Sequence, residues 1–395
     1  MLTTYDVIIV GAGIFGITAA VELRQRQYKV AILDPGPIPA PLAASTDISK
    51  VVRMEYGADE TYMSMVEESI AGWTQWNDAF GEKLYHNTGV TMLTRKPIEP
   101  GEFEYESYQL LRKRNHLPER LTADDIARRF PAWKPGAFVD GYFHAKGGYV
   151  ESGRVVEVLL QHAQALGVTV YAGQTVQHVV LENGRIQGVQ TVDGRIFKAD
   201  NVLIAAGAWT PIILPELEPV MRATGHPVYH LKIGNSTLFK PPHFVVFTAD
   251  ITSSGWYGFP LHPKHDVIKI ANHGVGQLLH PVHDKRVVSD ADIRQLRRFL
   301  EETFPALKDA TISYARRCLY CDTLDEHFWI DRHPEIEGLT VAAGGSGHGF
   351  KFAPILGKLI ADALTGQANV WLPKFRWRDL GNETQGEEAT RHHNK

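Results

Sequence analysis

The pattern of apolar and polar positions in residues 1–34 predicts a strand, a glycine-rich turn, a helix and a second strand. Residues 5–10 are almost continuously apolar, residues 17–24 repeat apolar side chains at helical spacing, and residues 30–33 form another apolar run. This succession is typical of a βαβ unit, in which both strands are buried in a parallel sheet. We therefore expect an α/β unit in this segment.

A similar alternation of strand-like and helix-like segments continues along the chain. Helices are predicted over residues 60–80, 100–130, 151–166, 291–304 and from about 350 to 364. Strands are predicted over residues 90–93, 168–171, 201–204 and 339–343, with several short strands between 226 and 275. Two turn signals, at 182–184 and 193–194, predict a hairpin or meander over residues 179–197. The tail from Asn382 is expected to be disordered.

The composition is that of a globular protein with more than one domain. Of the 395 residues, 44% are hydrophobic and 22% are charged, and at about 150 residues per domain the length suggests two or three domains. The net charge of −4 gives no electrostatic reason to expect nucleic acid as a partner. No stretch reads as a signal peptide or as an apolar membrane span, so we expect a cytoplasmic protein without a membrane partner.

The glycine-rich turn has the residue types that a dinucleotide requires. Gly11 permits the tight turn, Gly13 lets the backbone approach a pyrophosphate, and Gly16 allows the helix to pack closely on the strand. Asp34 ends the second strand 23 positions after Gly11 and can accept hydrogen bonds from ribose hydroxyls. Because the flanking elements are also present, this motif predicts a dinucleotide site.

The two cysteines, Cys318 and Cys321, are spaced as a C-x-x-C pair. Two cysteines exclude a disulfide framework, and a zinc site would need two further ligands at suitable spacing. A thioredoxin-type pair would stand at the start of a helix, which the surrounding pattern does not predict. The residues alone leave inert packing, metal binding and redox chemistry open for this pair.

Three separated segments together suggest a known family. Residues 5–34, residues 201–209 with the run Ala-Ala-Gly-Ala-Trp, and the glycine-rich residues 344–352 resemble the sarcosine oxidase group of FAD-dependent amine oxidases. That group includes monomeric sarcosine oxidase, N-methyltryptophan oxidase, L-pipecolate oxidase and the fructosyl amino acid oxidases. The most specific part of the resemblance is Arg-Cys-Leu-Tyr at 317–320 followed by residues 322–331.

The resemblance implies an α/β (α+β) fold with two domains. The expected Rossmann-type FAD-binding domain is discontinuous and comprises residues 1–85, 150–222 and 320–375. The expected substrate-binding domain, built mainly on an antiparallel sheet, comprises residues 86–149 and 223–319. Residues 376–395 are expected to form a C-terminal tail.

The resemblance also implies which residues contact FAD. Cys318 stands at the position that carries the flavin covalently in this family, which leaves Cys321 as a small packed residue. Independently, the glycine loop 344–349 offers backbone N–H groups near a flavin edge that becomes negative on reduction. The expected cofactor-binding residues are Gly11, Gly13, Ile14, Phe15, Gly16, Asp34, Ser45, Thr46, Lys50, Val176, Ala206, Gly207, Trp209, Cys318, Gly345, Gly347, His348, Gly349, Phe350 and Lys351.

The substrate site follows from the same resemblance. Arg53 and Lys351 match the two cations that bind the substrate carboxylate, a task suited to a guanidinium and an ammonium. Taken alone, Arg53 would be interpreted as a surface salt bridge. Lys50 is an expected catalytic residue: it stands where sarcosine oxidase has arginine, and fructosyl amino acid oxidases share this lysine.

A second group of expected catalytic residues lies between 257 and 273. Tyr257 opens the family's Tyr-Gly-Phe-Pro segment, Lys269 matches the lysine that activates oxygen, and His273 matches a histidine beside the substrate. One extra residue before Lys269 means that the loop 261–266 differs from that of sarcosine oxidase. A lysine among apolar strand residues is hard to explain if it points inward without a purpose, although strand alternation leaves an outward position open.

The reaction implied is oxidation of a secondary amine in an N-substituted amino acid, which is sarcosine-like, pipecolate-like or a fructosyl amino acid. Hydride passes to the flavin, the imine is hydrolysed, and oxygen is reduced to hydrogen peroxide. The alternatives are a dehydrogenase that passes electrons to a carrier, and a flavin-binding subunit without catalysis. We expect a small-molecule substrate and oxygen as partners, and a monomer is compatible with the sequence. No metal site is expected, because the pairs His262/His265 and His280/His283 lie in loops.

Overall fold

The computed structural model describes residues 4–234 and 237–381, which form ten α-helices and twenty β-strands in three sheets. The helices are α1 (Ile14–Gln25), α2 (Glu60–Phe80), α3 (Phe103–Lys113), α4 (Ala123–Arg129), α5 (Ser152–Ala165), α6 (Thr210–Ile213), α7 (Ile251–Ser254), α8 (Asp290–Thr303), α9 (Ala353–Thr365) and α10 (Leu372–Phe375).

The strands are β1 (Thr4–Val10), β2 (Val30–Asp34), β3 (Lys50–Val52), β4 (Tyr85–His86), β5 (Val90–Thr94), β6 (Glu119–Arg120), β7 (Asp140–His144), β8 (Gly148–Val150), β9 (Thr169–Ala172), β10 (Val176–Glu182), β11 (Arg185–Thr191), β12 (Ile196–Ile204), β13 (Met221–Lys232), β14 (Val246–Ala249), β15 (Trp256–Gly258), β16 (Val267–Asn272), β17 (Gln277–Leu278), β18 (Thr311–Thr323), β19 (Trp329–Arg332) and β20 (Leu339–Ala343).

The first sheet has a parallel centre in the order β9-β2-β1-β12-β20. Its central strands are buried on both faces, by helices on one face and partly by residues of β13 and β18 on the other, which explains their continuous apolar sequence. Val10 lies opposite Leu33 on one side and Ile204 on the other, and Ile204 lies opposite Val341. The carboxyl ends of these strands therefore meet at one edge of the sheet.

Helices α1, α5 and α9 cover one face of this sheet. Ile17, Leu23, Leu356 and Ile360 are buried in the same apolar cluster. A Cβ atom added at Gly357 would lie 2.5 Å from the carbonyl oxygen of Thr18, so α1 and α9 approach too closely for a larger residue. The helix that opens at the glycine-rich turn is thus held by packing along its length.

The second sheet has the order β17-β13-β16-β15-β14-β5-β7-β6, with β18 paired to β13. Its strand pairs are antiparallel except for β5 with β14. Helix α8 packs on it through Leu296, Phe299 and Leu300, and Phe299 stacks on Trp256 with ring centroids 4.6 Å apart. A small third sheet has the order β3-β8-β4, and its strands lie in the chain between strands of the first sheet and strands of the second.

The α/β class and the N-terminal βαβ unit predicted from the sequence are confirmed. The prediction of one helical stretch over 100–130 is wrong, because Asn115 has a positive φ of 60° and Pro118 follows, so α3 and α4 are separate. No strand was predicted over 311–323, where β18 forms. The proposed domain division stays a prediction, and β18 crosses its boundary at residue 320. The predicted disordered tail lies outside the described residues.

Candidate active site

The glycine-rich turn between β1 and α1 is as tight as its sequence predicts. Gly11 has a φ of 105°, and a Cβ atom added at Gly16 would lie 2.0 Å from the carbonyl oxygen of Gly11. The backbone N–H of Ile14 donates to the Ser45 Oγ at 2.9 Å, which brings the segment around Ser45 to the N-terminus of α1. The first turn of α1 contains no acidic side chain that would neutralise the positive end of the helix dipole.

Asp34 lies beside this turn. Its carboxylate accepts hydrogen bonds from the backbone N–H of Ala12 at 2.8 Å and of Gly36 at 3.1 Å. Burial raises the pKa of Asp34, although these two N–H groups oppose that effect. The acid therefore occupies the place beside the turn where the sequence predicts contact with a ribose.

The second glycine-rich loop, after β20, packs against the first. A Cβ atom added at Gly345 or Gly349 would lie 3.4 Å or 2.9 Å from the ring of Phe15 in α1. The backbone N–H groups of Ser346, His348 and Gly349 donate to carbonyls at 2.9, 2.8 and 3.0 Å. The expectation that this loop offers its N–H groups freely is therefore wrong for these three positions.

A third segment, after β12, reaches the same edge of the sheet. Ala206, Gly207 and Trp209 lie in a turn that follows β12 and begins a short helical segment. The guanidinium of Arg286 lies over the indole of Trp209, 4.9 Å from its centroid. Val176, at the start of β10, is buried in the apolar cluster on the face of the sheet that contains Trp209.

Several buried polar atoms near the Ser45 segment have no hydrogen-bond partner in the described part of the chain, and two of them belong to neighbouring groups. These two are the Thr46 Oγ1 and the Arg316 Nε. Another nitrogen of the Arg316 guanidinium donates to the carbonyl of Thr46, so the two groups are neighbours. Buried polar atoms normally have partners, so this pair marks a position where a polar ligand fits.

The two cysteines point to opposite faces of β18, because side chains three positions apart in a strand alternate. Cys318 belongs to a small apolar cluster with Val228, Ala271 and Tyr320. Cys321 belongs to the apolar core beside the first sheet, and burial raises the pKa of its thiol to about 12. The pair therefore has two different environments and does not form a disulfide.

The sequence-predicted substrate residues meet in one cavity between the second sheet, the β3 segment and the second glycine loop. The cavity is lined by Lys50, Val51, Arg53, Thr248, Ile251, Tyr257, Lys269, His273, Tyr320, Gly347, His348, Phe350 and Lys351. They come from β3, β14 to β16, β18 and the loop before α9, so the tertiary fold brings them together. Val51, Thr248, Ile251 and Tyr320 were not among the expected site residues.

Two cations of this cavity converge on Tyr56. Arg53 is 6% exposed and its guanidinium lies over the rings of Tyr56 and Phe103, at 5.4 and 5.6 Å from their centroids. One of its nitrogens donates to the carbonyl of Glu55. The Lys351 Nζ donates to the Tyr56 hydroxyl at 2.7 Å. The alternative interpretation of Arg53 as a surface salt bridge is wrong.

Lys269 points inward from β16 and is 2% exposed, so the alternative of an outward position is wrong. Its ammonium donates to the carbonyl of Ser49, forms an ion pair with Asp47 at 2.8 Å, and lies 4.9 Å from the ring centroid of Phe259. Burial lowers the pKa of Lys269 to about 8, and the charge of Asp47 limits that decrease. Lys50, in β3, is a further positive charge near this pair.

Asp47 is a site residue that the sequence interpretation missed. It lies in a polar segment between Ser45 and Lys50, where an aspartate usually faces solvent. No spacing or motif distinguishes it from other loop aspartates. Its partners, Lys269 and His230, are more than 180 positions away in the chain, so only the tertiary structure identifies it.

Tyr257, His273 and Tyr320 form an aromatic wall of the cavity. The rings of Tyr257 and His273 are perpendicular with centroids 6.4 Å apart, and those of His273 and Tyr320 are 5.7 Å apart. A Cβ atom added at Gly347 would lie 2.5 Å from Tyr320 and 2.7 Å from His273. The second glycine loop therefore has to be glycine here for the wall to close.

The histidine pairs do not assemble a metal centre. His262 is buried: its Nε2 lies 3.2 Å from the carbonyl of Ile48, and its Nδ1 accepts from the backbone N–H of Lys264 at 3.2 Å. The rings of His280 and His283 stack with centroids 4.4 Å apart. Within residues 4–234 and 237–381, no group of three or more His, Cys, Asp or Glu side chains is arranged to hold a metal ion.

No helix in this described part is long and apolar enough to cross a membrane.

Comparison with known proteins shows a consistent similarity. The family described as FAD dependent oxidoreductase (DAO) matches residues 6–363. L-saccharopine oxidase from Schizosaccharomyces pombe is 29% identical, covering 94% of this chain and 93% of its own length. Monomeric sarcosine oxidase from a Bacillus species is 27% identical, covering 93% of this chain and 94% of its own. The crystal structure of fructosyl amine: oxygen oxidoreductase (Amadoriase I) from Aspergillus fumigatus has a TM-score of 0.82 at 26% identity, covering 98% of this chain and 94% of that chain.

Proposed function

The chain belongs to the DAO family of FAD-dependent oxidoreductases, and we propose that it is an oxidase of a secondary amine in an N-substituted amino acid. The observation that carries the proposal is the convergence of two buried cations, Arg53 and Lys351, on one cavity. Such a pair suits a carboxylate, because a guanidinium and an ammonium can both donate charge-assisted hydrogen bonds to it.

The residues at the sheet edge fit FAD. The tight turn at Gly11 and Gly16 leaves the N-terminus of α1 open to a pyrophosphate, and Asp34 stands where a ribose would lie. The buried Thr46 Oγ1 and Arg316 Nε supply polar atoms that a ligand at this edge would satisfy. When bound, FAD supplies the two-electron acceptor that takes a hydride from the substrate and passes the electrons to oxygen.

The similar proteins point to one class of substrate. Sarcosine and saccharopine, for which two relatives are named, are secondary amines that carry a carboxylate, and a fructosyl amine is an N-substituted amine. In this chain, Arg53 and Lys351 would bind the carboxylate, and Tyr257 and His273 would line the space for the amine. The substituent on nitrogen would extend toward Thr248 and Ile251, where the cavity wall is less charged. Water would then hydrolyse the imine to an amine and a carbonyl compound.

Lys269 is the proposed site of oxygen activation. Reduction of oxygen to hydrogen peroxide takes two electrons and two protons, and negative charge develops on oxygen when it accepts the first electron. A buried ammonium stabilises such charge more than water does, because it is already oriented in a medium of low polarity. Lys269 meets this requirement, since it is buried and its charge is maintained by Asp47.

Cys318 is the proposed covalent attachment point of FAD, and Cys321 has only a packing role. Three cationic side chains, Lys269, Arg286 and Arg316, lie near Cys318, whereas Cys321 lies in an apolar core. The experiment is to denature the purified protein and ask whether the yellow colour stays with the polypeptide. It should stay in the wild type and in Cys321→Ser, and it should be released from Cys318→Ser; release from the wild type would overturn covalent attachment.

Activity is tested with a panel of sarcosine, N-methyltryptophan, pipecolate, saccharopine and fructosyl amino acids. Oxygen consumption, peroxide formation and anaerobic bleaching of the flavin are measured for each compound. An oxidase bleaches anaerobically and forms peroxide in air. Bleaching without oxygen consumption would indicate a dehydrogenase that uses a carrier. Absence of bleaching by every compound would contradict the proposed function.

A further inference from the structure

We propose that Asp47 is the residue that positions Lys269 and keeps it charged in the oxygen site. The inference rests on the proposed role of Lys269 and goes beyond it, because it assigns a separate residue to set the pH range in which that lysine acts. Asp47 would touch neither substrate nor oxygen in this role. It is a positioning residue that acts through the Lys269 ammonium.

The carboxylate of Asp47 is held from several sides. Its Oδ2 lies 2.8 Å from the Lys269 Nζ, and its Oδ1 lies 3.0 Å from the His230 Nε2. The backbone N–H of Ile48 also donates to Oδ1, at 2.7 Å. The carboxylate therefore has little freedom to turn away from the lysine.

The backbone of Asp47 is anchored as firmly as its side chain. Its carbonyl accepts hydrogen bonds from the Gly153 N–H at 2.8 Å and the Ser152 Oγ at 2.9 Å, both at the start of α5. The loop that carries Asp47 is thereby tied to a helix of the first sheet, while Lys269 belongs to the second sheet. The ion pair consequently joins this loop, and through it the start of α5, to β16 of the second sheet beside the candidate active site.

The charges around Lys269 explain why a carboxylate is needed there. The groups facing it are Asp47, Lys50 and Cys318, and those facing Asp47 are Lys269, His230, Lys50 and Arg316. Asp47 is the acidic member of this predominantly basic group. Without it, a fully buried ammonium would stand near a second lysine with no anion to offset the cost of burial.

The pKa values agree with this geometry. Burial by itself raises the pKa of Asp47, but Lys269 and His230 hold that pKa well below its ordinary value, so the carboxylate is charged. Burial lowers the pKa of Lys269 to about 8 in spite of Asp47. Lys269 is therefore protonated below pH 8 and loses its charge above it. Removal of Asp47 shifts this loss to lower pH.

The experiment measures how fast the reduced flavoprotein reacts with oxygen as pH is varied. The enzyme is reduced anaerobically with dithionite, so no substrate has to be known, and is mixed with oxygen from pH 5 to pH 10. The wild-type rate should fall with a midpoint near pH 8. In Asp47→Asn the midpoint should fall by about 1 to 2 pH units, which makes the rate at pH 8 about 5- to 50-fold slower. Asp47→Glu should restore most of the wild-type profile.

Two variants separate this inference from the proposed function. Lys269→Met should react slowly at every pH; a wild-type rate in that variant would refute the role of Lys269 itself. Slow oxidation in Lys269→Met together with an unchanged midpoint in Asp47→Asn would refute only the inference about Asp47. Asp362→Asn is the matched control, because it neutralises another aspartate whose side chain is buried and pairs with a basic residue, Arg26. It should leave the midpoint unchanged.

Thermal unfolding gives a readout that does not depend on activity. Asp47→Asn should lower Tm by about 5 °C, because it leaves a buried charge without its partner. The double variant Asp47→Asn/Lys269→Met should recover most of that loss, since neither charge remains. If Asp47→Asn alone does not fold, recovery of folding in the double variant supports the coupling. If the loss of Tm in the double variant equals the sum of the losses in the two single variants, or if the double variant does not fold, the coupling between Asp47 and Lys269 is refuted.

Discussion

Replacement of Lys351 by methionine is the most direct test of carboxylate recognition. Methionine has nearly the same length and removes only the charge and the donor, so the side chain can still fill its place. Lys351 is 4% exposed, and its ammonium lies 4.6 Å from the ring centroid of Tyr56. The Tyr56 hydroxyl keeps its contact with the His348 Nδ1, 3.0 Å away, when the lysine is removed. We therefore expect the variant to fold and to bind FAD.

The magnitude follows from the hydrogen bond that Lys351 would donate to a carboxylate. A hydrogen bond that involves a charged group contributes about 1.5–3 kcal/mol. Because about 1.4 kcal/mol corresponds to a factor of ten, the substrate should bind roughly 10- to 150-fold more weakly. Arg53 remains in the variant, so some recognition of the carboxylate should persist.

The assay compares the best substrate of the panel with its decarboxylated amine, such as sarcosine with dimethylamine. Anaerobic flavin reduction at increasing concentrations gives the apparent Kd of each compound for the wild type and for Lys351→Met. The wild type should prefer the acid, and the variant should lose most of that preference. The decarboxylated amine should bind equally well to both proteins.

The matched control is Lys374→Met. The Lys374 ammonium also lies near a tyrosine ring, 5.2 Å from the centroid of Tyr62, and it pairs with Asp59 at 2.7 Å. It does not line the cavity. Its substitution should leave both Kd values within about twofold. If Lys351→Met weakens the acid and the amine by the same factor, the reasoning about carboxylate recognition is refuted.

Two further predictions concern the turn and acid stability. Gly16→Ala should lose FAD, because its Cβ would lie 2.0 Å from the Gly11 carbonyl oxygen. In the control Gly36→Ala the atom nearest to the added Cβ is 3.8 Å away, so the absorbance ratio of flavin to protein should be unchanged. Equal FAD content in both variants would contradict the packing argument. Burial lowers the pKa of His262 to about 4 in the folded protein, whereas an unfolded histidine has a pKa of about 6.5. Between these two pH values the unfolded state binds the proton and the folded state does not, so the free energy of unfolding falls as pH decreases. His262→Gln should therefore lose less Tm than the wild type between pH 7 and pH 5, and identical losses would show that His262 contributes nothing.

The predicted elements that were correct share a local cause. The first βαβ unit, helix α2 and helix α8 each carry their apolar pattern within about 30 consecutive residues or fewer. Strand β18 was missed because its exposed half, near residues 311–315, has no clear alternation, and its register comes from β13, about 90 positions earlier. The split between α3 and α4 depended on the left-handed backbone at Asn115, which periodicity does not reveal.

The candidate site likewise has one part that local sequence could predict and another part that it could not. The turn at Gly11 to Gly16, with Asp34, could be predicted because the required backbone conformation selects the residues. The roles of Arg53, Lys269 and Lys351 were implied by resemblance and stay predictions, although their burial in one cavity supports them.

By itself, the sequence determined the α/β class and the glycine-rich turn of the first βαβ unit, whereas the cations proposed to bind a carboxylate were implied by resemblance. Only the tertiary structure decided that Lys269 points inward, that Cys318 and Cys321 face different environments, and that Asp47 is the anion beside Lys269. The physical reason is that backbone conformation and apolar periodicity are local properties. The energy of a buried charge depends on whichever group the fold brings to it, however distant in the chain.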